Sequence, residues 1–183
     1  IKANLTNASL ENVILQDANL TQAILKGANL EASNFGSSGL GNPSPLAATL
    51  RGANLSDANM SNANLLSVDL SEATLENAKF DNADLSYANL SWARANSVSL
   101  SGASLAWVRA YGADFRNADL SNANAALAQM TGVNFSNADL RGANFDYADL
   151  TQSLLTDIVV DAGSSFAKTR FHDAKNVPSI LTQ

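Results

Sequence analysis

Residues 53–65, ANLSDANMSNANL, repeat a unit of five residues in which Ala and then Asn or Asp precede a large apolar residue. Outward from this stretch, every fifth position from 5 to 150 keeps the large residue: nineteen of the thirty are Leu, five are Phe and two are Met. Two residues earlier, twenty-two of thirty positions are Ala and five are Val. The position between them is Asn or Asp in seventeen of thirty. The sequence therefore has a strict period of five.

A period of five fits neither common secondary structure. An amphipathic helix needs apolar residues about 3.6 positions apart, and a half-buried strand alternates every two. Five residues turn a helix by about 500°, so no helical face would stay apolar. A chain that turns a corner every five residues solves this problem, because the large residue and the small one two before it both point inward. Stacking such coils at a spacing of about 4.8 Å pairs their backbone N–H and C=O groups.

The repeat resembles the A(D/N)LXX motif of the pentapeptide repeat family, and the resemblance covers residues 1 to about 160. It implies an all-β fold, namely a right-handed quadrilateral parallel β-helix with four quintets per coil and about eight coils. Its core is then a continuous stack of the large inward residues. The predicted core residues are Leu55, Leu65, Leu75, Phe80, Leu85, Leu105, Phe115, Phe135 and Phe145.

The pattern divides the chain into a column at 1–162 and an irregular C-terminal cap or tail at 163–183. A loop insertion is predicted at 36–47, GSSGLGNPSPLA, because its two prolines cannot donate to a backbone ladder. This loop is either a tolerated surface insertion or a contact for a partner. After Val160 the register slips, and Ser164–Phe166 and Thr169–Phe171 look like two quintets displaced by one residue.

Residues twenty apart stack directly if four quintets form one coil, and the aromatic residues then separate. The five Phe before residue 150 fall at inward positions, whereas every Trp and Tyr falls outward. Tyr and Trp are common anchors of protein interfaces, so the outward set predicts binding to a protein partner or to a second copy. Simple packing at the corners is the alternative. The candidate stripe consists of Tyr87, Trp107, Leu127 and Tyr147, with Leu66 beside it and Trp92 and Tyr111 one face on.

Composition excludes several functional classes. The 183 residues include no Cys and carry a net charge of −6, which rules out disulfides and disfavours nucleic acid as a direct ligand. No apolar run reaches the ~20 residues that span a bilayer, so the chain is predicted to be soluble and not bound to membrane. Its one histidine, His172, lies in the irregular tail. We predict no catalytic, cofactor-binding or metal-binding residue and no small-molecule substrate, and hence a non-catalytic scaffold for protein interaction.

The resemblance also implies an alternative function. Quinolone-resistance members of the family are regarded as mimics of duplex DNA that bind DNA gyrase, a type II topoisomerase. Such mimicry needs negative charge at regular spacing along one side. Here Asn takes eleven of the Asn/Asp positions and Asp six, and basic residues interrupt the acidic columns.

The sequence begins at Ile1 within the pattern. The compartment, a preceding targeting segment and the identity of the partner therefore stay open.

Overall fold

The computed structural model describes residues 3–36 and 47–181, which form a column of stacked coils. Parallel bridges join residues twenty apart, as in the series Asp84, Ser104 and Asn124. Four such series run around the column, so four quintets complete one coil. Within the described ranges every bridge is isolated rather than part of a longer strand, and one 3-10 helix spans Ser179–Leu181. The architecture is an all-β parallel β-helix.

Each corner of the column is a β-turn of the same kind. The large residue accepts a hydrogen bond from the N–H three residues later, as Leu85 does from Ala88 at 3.0 Å. The second turn residue has φ near +60° at every uninterrupted corner from Asn7 to Asp157. A positive φ at that turn position alone indicates a type II turn. The chain thus enters the left-handed region of backbone space once in every quintet.

The Asn or Asp of the motif serves the corner that follows it. Its side-chain oxygen accepts the N–H of the first turn residue, as Asp84 Oδ1 does from Ser86 at 3.0 Å. The same contact joins Asn134 to Ser136 at 3.0 Å. Asn and Asp are suited to this bond because their short side chains reach a backbone group two residues on. This local bond explains why the motif places Asn or Asp directly before the large residue.

Backbone hydrogen bonds join each coil to the next. In the quintet 83–87, Leu85 N–H donates to Ser104 O at 2.8 Å and the N–H at position 87 donates to Ala106 O at 2.9 Å. Ser104 N–H donates back to Ala83 O at 2.9 Å. These bonds run along the column axis and use the backbone groups on the flat sides. The sides of the column therefore present side chains rather than unpaired backbone.

The interior is filled by the large residue and by the small residue two before it. Every residue of the predicted core is at most 1% exposed. Phenylalanines stack through the upper half: the ring centroids of Phe115 and Phe135 are 5.6 Å apart, and those of Phe145 and Phe166 are 5.2 Å apart. Among the described residues no buried side-chain nitrogen or oxygen lacks a hydrogen-bond partner. The interior is thus a packed apolar core.

The predicted loop at 36–47 falls mostly outside the described residues, but both of its flanks are described. Ala48 N–H donates to Phe35 O at 2.8 Å, which is the closing bond of an ordinary corner. The bridge from Asn19 reaches Thr49, thirty residues later instead of twenty. The sequence between Phe35 and Ala48 is therefore ten residues longer than at an ordinary corner, and the bridges above it return to a spacing of twenty.

The column extends beyond the boundary at 162 that the sequence pattern predicts. Bridges join Asn144 to Ser165 and Leu154 to Lys175, with a spacing of twenty-one residues. One extra residue widens the corner at 161–164, where Asp161 Oδ1 accepts the N–H groups of Gly142, at 2.9 Å, and Gly163, at 2.9 Å. This carboxylate holds the wider corner in place, so the coil continues in the shifted register. The irregular segment therefore starts only after Lys175.

Candidate protein-binding surface

All the Trp and Tyr side chains of the chain border one side of the column, which we call the aromatic face. Its centre is the bridge series Asn89, Arg109, Gln129 and Asp149. One edge is the corner series that contains Trp107, and the other is the corner series that contains Trp92. Because neighbouring coils lie about 4.8 Å apart, the stretch from the coil of Asn89 to that of Asp149 is about 14 Å high.

The first edge is the predicted stripe, and its members are exposed. The rings of Tyr87 and Trp107 stack with centroids 6.1 Å apart and planes 4° from parallel. Leu127 continues the edge with 37% exposure, and Tyr147 ends it with 53%. Leu66 belongs to the same corner series, one coil below Tyr87, and is half-buried. The edge therefore presents a continuous series of apolar side chains in register.

The second edge holds Trp92 and Tyr111. The indole of Trp92, 66% exposed, lies over Gly112 so closely that a Cβ added to this glycine would stand 2.3 Å from Trp92 Cζ3. Tyr111 is 39% exposed, and its hydroxyl donates to Gln129 Oε1. The glycine thus makes room for the indole, and the tyrosine is tied to the centre of the face.

The corners that carry these residues are unusual within the column. The second turn residue is left-handed at each corner, and a side chain other than Gly costs roughly 1 kcal/mol there, with Asn and Asp the best tolerated. On the two edges away from the aromatic face, the described corners hold only Asn, Asp, Gly, Ser and Ala. Large apolar or aromatic residues with positive φ occur, within the described ranges, only on the edges of the aromatic face. They are Tyr87, Trp92, Trp107, Leu127 and Tyr147.

Arg109 occupies the centre of the face and is exposed. It pairs with no carboxylate in the part of the chain that the structure describes. Two other arginines are paired with carboxylates: Arg116 lies 2.6 Å from Asp114 and Arg141 lies 2.5 Å from Asp139. Arg94 pairs with no carboxylate either, but it donates to Thr74 Oγ1. The guanidinium of Arg109 therefore remains available on the surface between the two edges.

Several carboxylates of the column, on the aromatic face and on the other sides, are held by hydrogen bonds. A side-chain hydrogen bond from Arg116 lowers the pKa of Asp114, and one from Arg141 lowers the pKa of Asp139. Burial raises the pKa of Asp149, but hydrogen bonds from Thr151 and the charge of Arg170 outweigh it and leave the pKa lowered. These carboxylates stay ionised and paired, which suits structural roles rather than proton transfer.

The structure brings together no reactive site among the described residues. His172 is exposed, and its Nε2 lies 3.3 Å from Asp173 Oδ2. A polar depression of about 320 Å³ is lined by Ser121, Asn122, Arg141 and Asp161, but Arg141 is bonded to a neighbouring Asp and Asp161 binds backbone N–H groups. The described ranges hold no cluster of three or more potential metal ligands and no helix long and apolar enough to cross a membrane.

Two residues of this surface were not found from the sequence. Lys168 Nζ lies 5.0 Å from the ring centroid of Tyr147 and 3.2 Å from its hydroxyl, which extends the first edge by one coil. A spacing of twenty from Tyr147 points to Ala167, and the extra residue at 161–164 moves the stacked position to Lys168. The pattern of aromatic residues does not single out Arg109, although its spacing of twenty from Asn89 and Gln129 places it in the same series.

Comparison with known proteins places this architecture. The model of the family described as pentapeptide repeats matches eight copies, at residues 2–38, 47–81, 64–102, 99–137 and 128–157. A trypsin-treated form of QnrB1, a plasmid-mediated fluoroquinolone resistance protein, has 21% identity and a TM-score of 0.73, over 100% of this chain and 90% of that one. No protein with a curated description matches the chain in sequence.

Two cyanobacterial structures match with lower TM-scores. HetL from Nostoc sp. strain PCC 7120, involved in heterocyst differentiation regulation, has 26% identity and a TM-score of 0.35 over 94% of this chain and 86% of that one. Rfr23 from Cyanothece 51142 has 28% identity and a TM-score of 0.36 over 81% and 90%. The QnrB1 likeness supports the β-helix and is consistent with a right-handed solenoid. On the family match, which spans most of its length, the chain belongs to the pentapeptide repeat family, a family of repeat scaffolds rather than a catalytic one.

Proposed function

We propose that this chain is a non-catalytic scaffold that binds a protein partner across its aromatic face. The observation that carries the proposal is the placement of large side chains at left-handed corners on the two edges of this face. Backbone strain of this kind persists mainly where a function requires the residue. Asn or Gly at the same corners would suit the column better, as it does on the opposite edges.

The composition of the face supports the same function. Trp, Tyr and Arg are the residues that dominate the free energy of binding at protein interfaces. Here Trp107 stacks on Tyr87, Trp92 is fixed over Gly112, and Arg109 lies between them. An ordered aromatic surface loses little side-chain freedom on binding, so its contacts contribute more to affinity.

A capture experiment tests the proposal. The immobilised chain is exposed to an extract of its source cells, and bound proteins are quantified for wild type, Leu127→Ser and Ile24→Ser. The last two residues form a matched pair, because both are 37% exposed but only Leu127 lies on the aromatic face. We expect a partner that Ile24→Ser retains and Leu127→Ser loses. Equal recovery by all three proteins would refute the assignment of the face.

A second pair changes the position of Trp92 without removing it. In Gly112→Ala the new Cβ displaces the indole, whereas in Gly132→Ala it meets nothing within 4 Å. Both glycines have positive φ, so the backbone strain is similar. We expect only Gly112→Ala to weaken capture of the partner.

Light scattering on wild type and Trp107→Ser shows whether the partner is a second copy of the chain. A dimer of the wild type should dissociate in this variant.

The alternative function, mimicry of DNA toward DNA gyrase, has weaker support. The QnrB1 structure named above shares the fold at 21% identity. The charges do not form one acidic side, because Asp114, Asp139 and Asp149 are each paired with an arginine. A duplex mimic needs unpaired negative charge in a regular series. We therefore favour the aromatic face.

A further inference from the structure

We infer that the aromatic face takes an extended acidic segment of a partner protein. A carboxylate of the partner binds Arg109, and apolar side chains next to it pack against the two aromatic edges. This inference rests on the proposed function and adds the chemistry of the partner.

The centre of the aromatic face is positively charged. Across the three coils that contain Asn89, Arg109 and Gln129, the outward residues of the face carry one charge, the guanidinium of Arg109. The chain as a whole has a net charge of −6. A positive group with no negative charge beside it in these coils attracts a carboxylate of a partner to this part of the face.

The side chain of Arg109 makes no contact that stabilises the column in the described ranges. At the bridge positions, Asn and Asp accept the N–H of the following turn residue, a bond that an arginine cannot make because it has no acceptor. Arg94, at a bridge position on another side, donates to Thr74 Oγ1 at 2.5 Å, whereas no such bond is made by Arg109 within the described ranges. The planar guanidinium of an unpaired arginine matches a carboxylate through two parallel hydrogen bonds.

The backbone groups of Arg109 are already paired within the column. Arg109 N–H donates to Ala88 O at 3.0 Å, and its C=O accepts from Leu90 N–H at 2.6 Å. A partner therefore cannot add a strand to this side of the column, and it must be recognised through side chains. The rings of Tyr87 and Trp107 on one edge and the indole of Trp92 on the other supply apolar surface on either side of the charge. A segment that has carboxylates among apolar residues fits both the charge of Arg109 and the apolar surface of the two edges.

A selection experiment tests the inference. Random twelve-residue peptides are displayed, selected on the immobilised wild-type chain and counter-selected on Trp107→Ser. A selected peptide is then labelled, and its affinity is measured by fluorescence anisotropy for wild type, Arg109→Gln, Arg109→Lys and Arg94→Gln. Arg94 is the matched control, because it is exposed at a bridge position on another side.

We expect enrichment of Asp and Glu beside apolar residues. We expect Arg109→Gln to weaken binding about tenfold, Arg109→Lys to weaken it less, and Arg94→Gln to leave it unchanged. Added salt should weaken binding to wild type more than to Arg109→Gln. Enrichment of basic or uncharged peptides, no enrichment at all, or equal affinity for Arg109→Gln would overturn the inference. If Trp107→Ser loses binding but Arg109→Gln keeps it, the inference is wrong and the proposed function still stands.

Discussion

At the scale of single residues, the left-handed corner is the feature on which the column depends. The corner position accepts many side chains, but its backbone conformation favours Gly and tolerates Asn. Gly132 and Ala32 occupy equivalent corner positions, with φ of 72° and 54°. A Cβ added at Gly132 would meet nothing within 4 Å, so substitution there measures the backbone conformation alone.

Exchanging these two residues gives a residue-scale prediction. Gly132→Ala should lower the free energy of unfolding by about 1 kcal/mol, because alanine is strained at positive φ. Ala32→Gly should raise it by about 0.5–1 kcal/mol for the same reason. Denaturant titration followed by circular dichroism measures both. Changes of the same sign in the two variants would contradict the explanation.

The position of the first aromatic edge could be predicted from the sequence, but the backbone conformation of its residues could not. A spacing of twenty located Tyr87, Trp107, Leu127 and Tyr147 on one edge, because every bridge series repeats with the period of the coil. The sequence could not show that these side chains sit on strained backbone, since Trp and Tyr rarely adopt positive φ. That fact emerges only from the geometry of the corner.

At the scale of the coil, phenylalanine rings contact one another through the core of the upper half. Phe135 is fully buried between Phe115 and Phe145, with centroid distances of 5.6 and 5.8 Å. Phe135→Ala should lower the free energy of unfolding by about 3–5 kcal/mol, because a cavity remains in a rigid column. Phe171→Ala, at a partly buried position, should cost clearly less. Equal losses in thermal or denaturant unfolding would argue against a cavity.

The widened corner at 161–164 gives a prediction about pH. The backbone N–H of Gly142 lowers the pKa of Asp161, burial opposes this, and further bonds from Gly163 and Ser164 strengthen it. The pKa of Asp161 in the folded state lies below the unfolded value of about 3.9. The stabilisation that the ionised Asp161 contributes is therefore complete above a pH of about 3.9, and it is lost as the pH falls through the pKa of the folded state. Asp161→Ala should therefore destabilise the protein at neutral pH and show a smaller loss of stability on acidification. A wild-type acid transition unchanged by the substitution would exclude this role.

This corner also shows why the end of the column could not be located from the sequence. One inserted residue changes the spacing from twenty to twenty-one and ends the visible period at Val160. The displaced quintets were visible at Ser164–Phe166 and Thr169–Phe171, but whether they continued the coil depended on the bonds of Asp161. Asp161 accepts several backbone N–H groups at this one corner only. Because the arrangement does not repeat along the sequence, no pattern indicates it.

At the scale of the whole molecule, each side of the column has its own chemistry. The core residues are shared by all four sides, whereas outward residues vary independently of them. We expect no inhibition of gyrase supercoiling by micromolar protein, because paired charges such as Asp139 with Arg141 leave no continuous acidic side. Wild type and Asp139→Ala are compared in the same assay. Inhibition by wild type would favour the DNA mimic over the aromatic face.

The corner that closes with the bond from Ala48 N–H to Phe35 O has a practical consequence. The sequence between Phe35 and Ala48 is ten residues longer than at an ordinary corner, and the coils on either side keep their bridges. Since the entropy of closing a loop grows only slowly with its length, a foreign peptide grafted there leaves the host fold intact. The protein is thus suited to displaying an epitope at a fixed height along a stiff support.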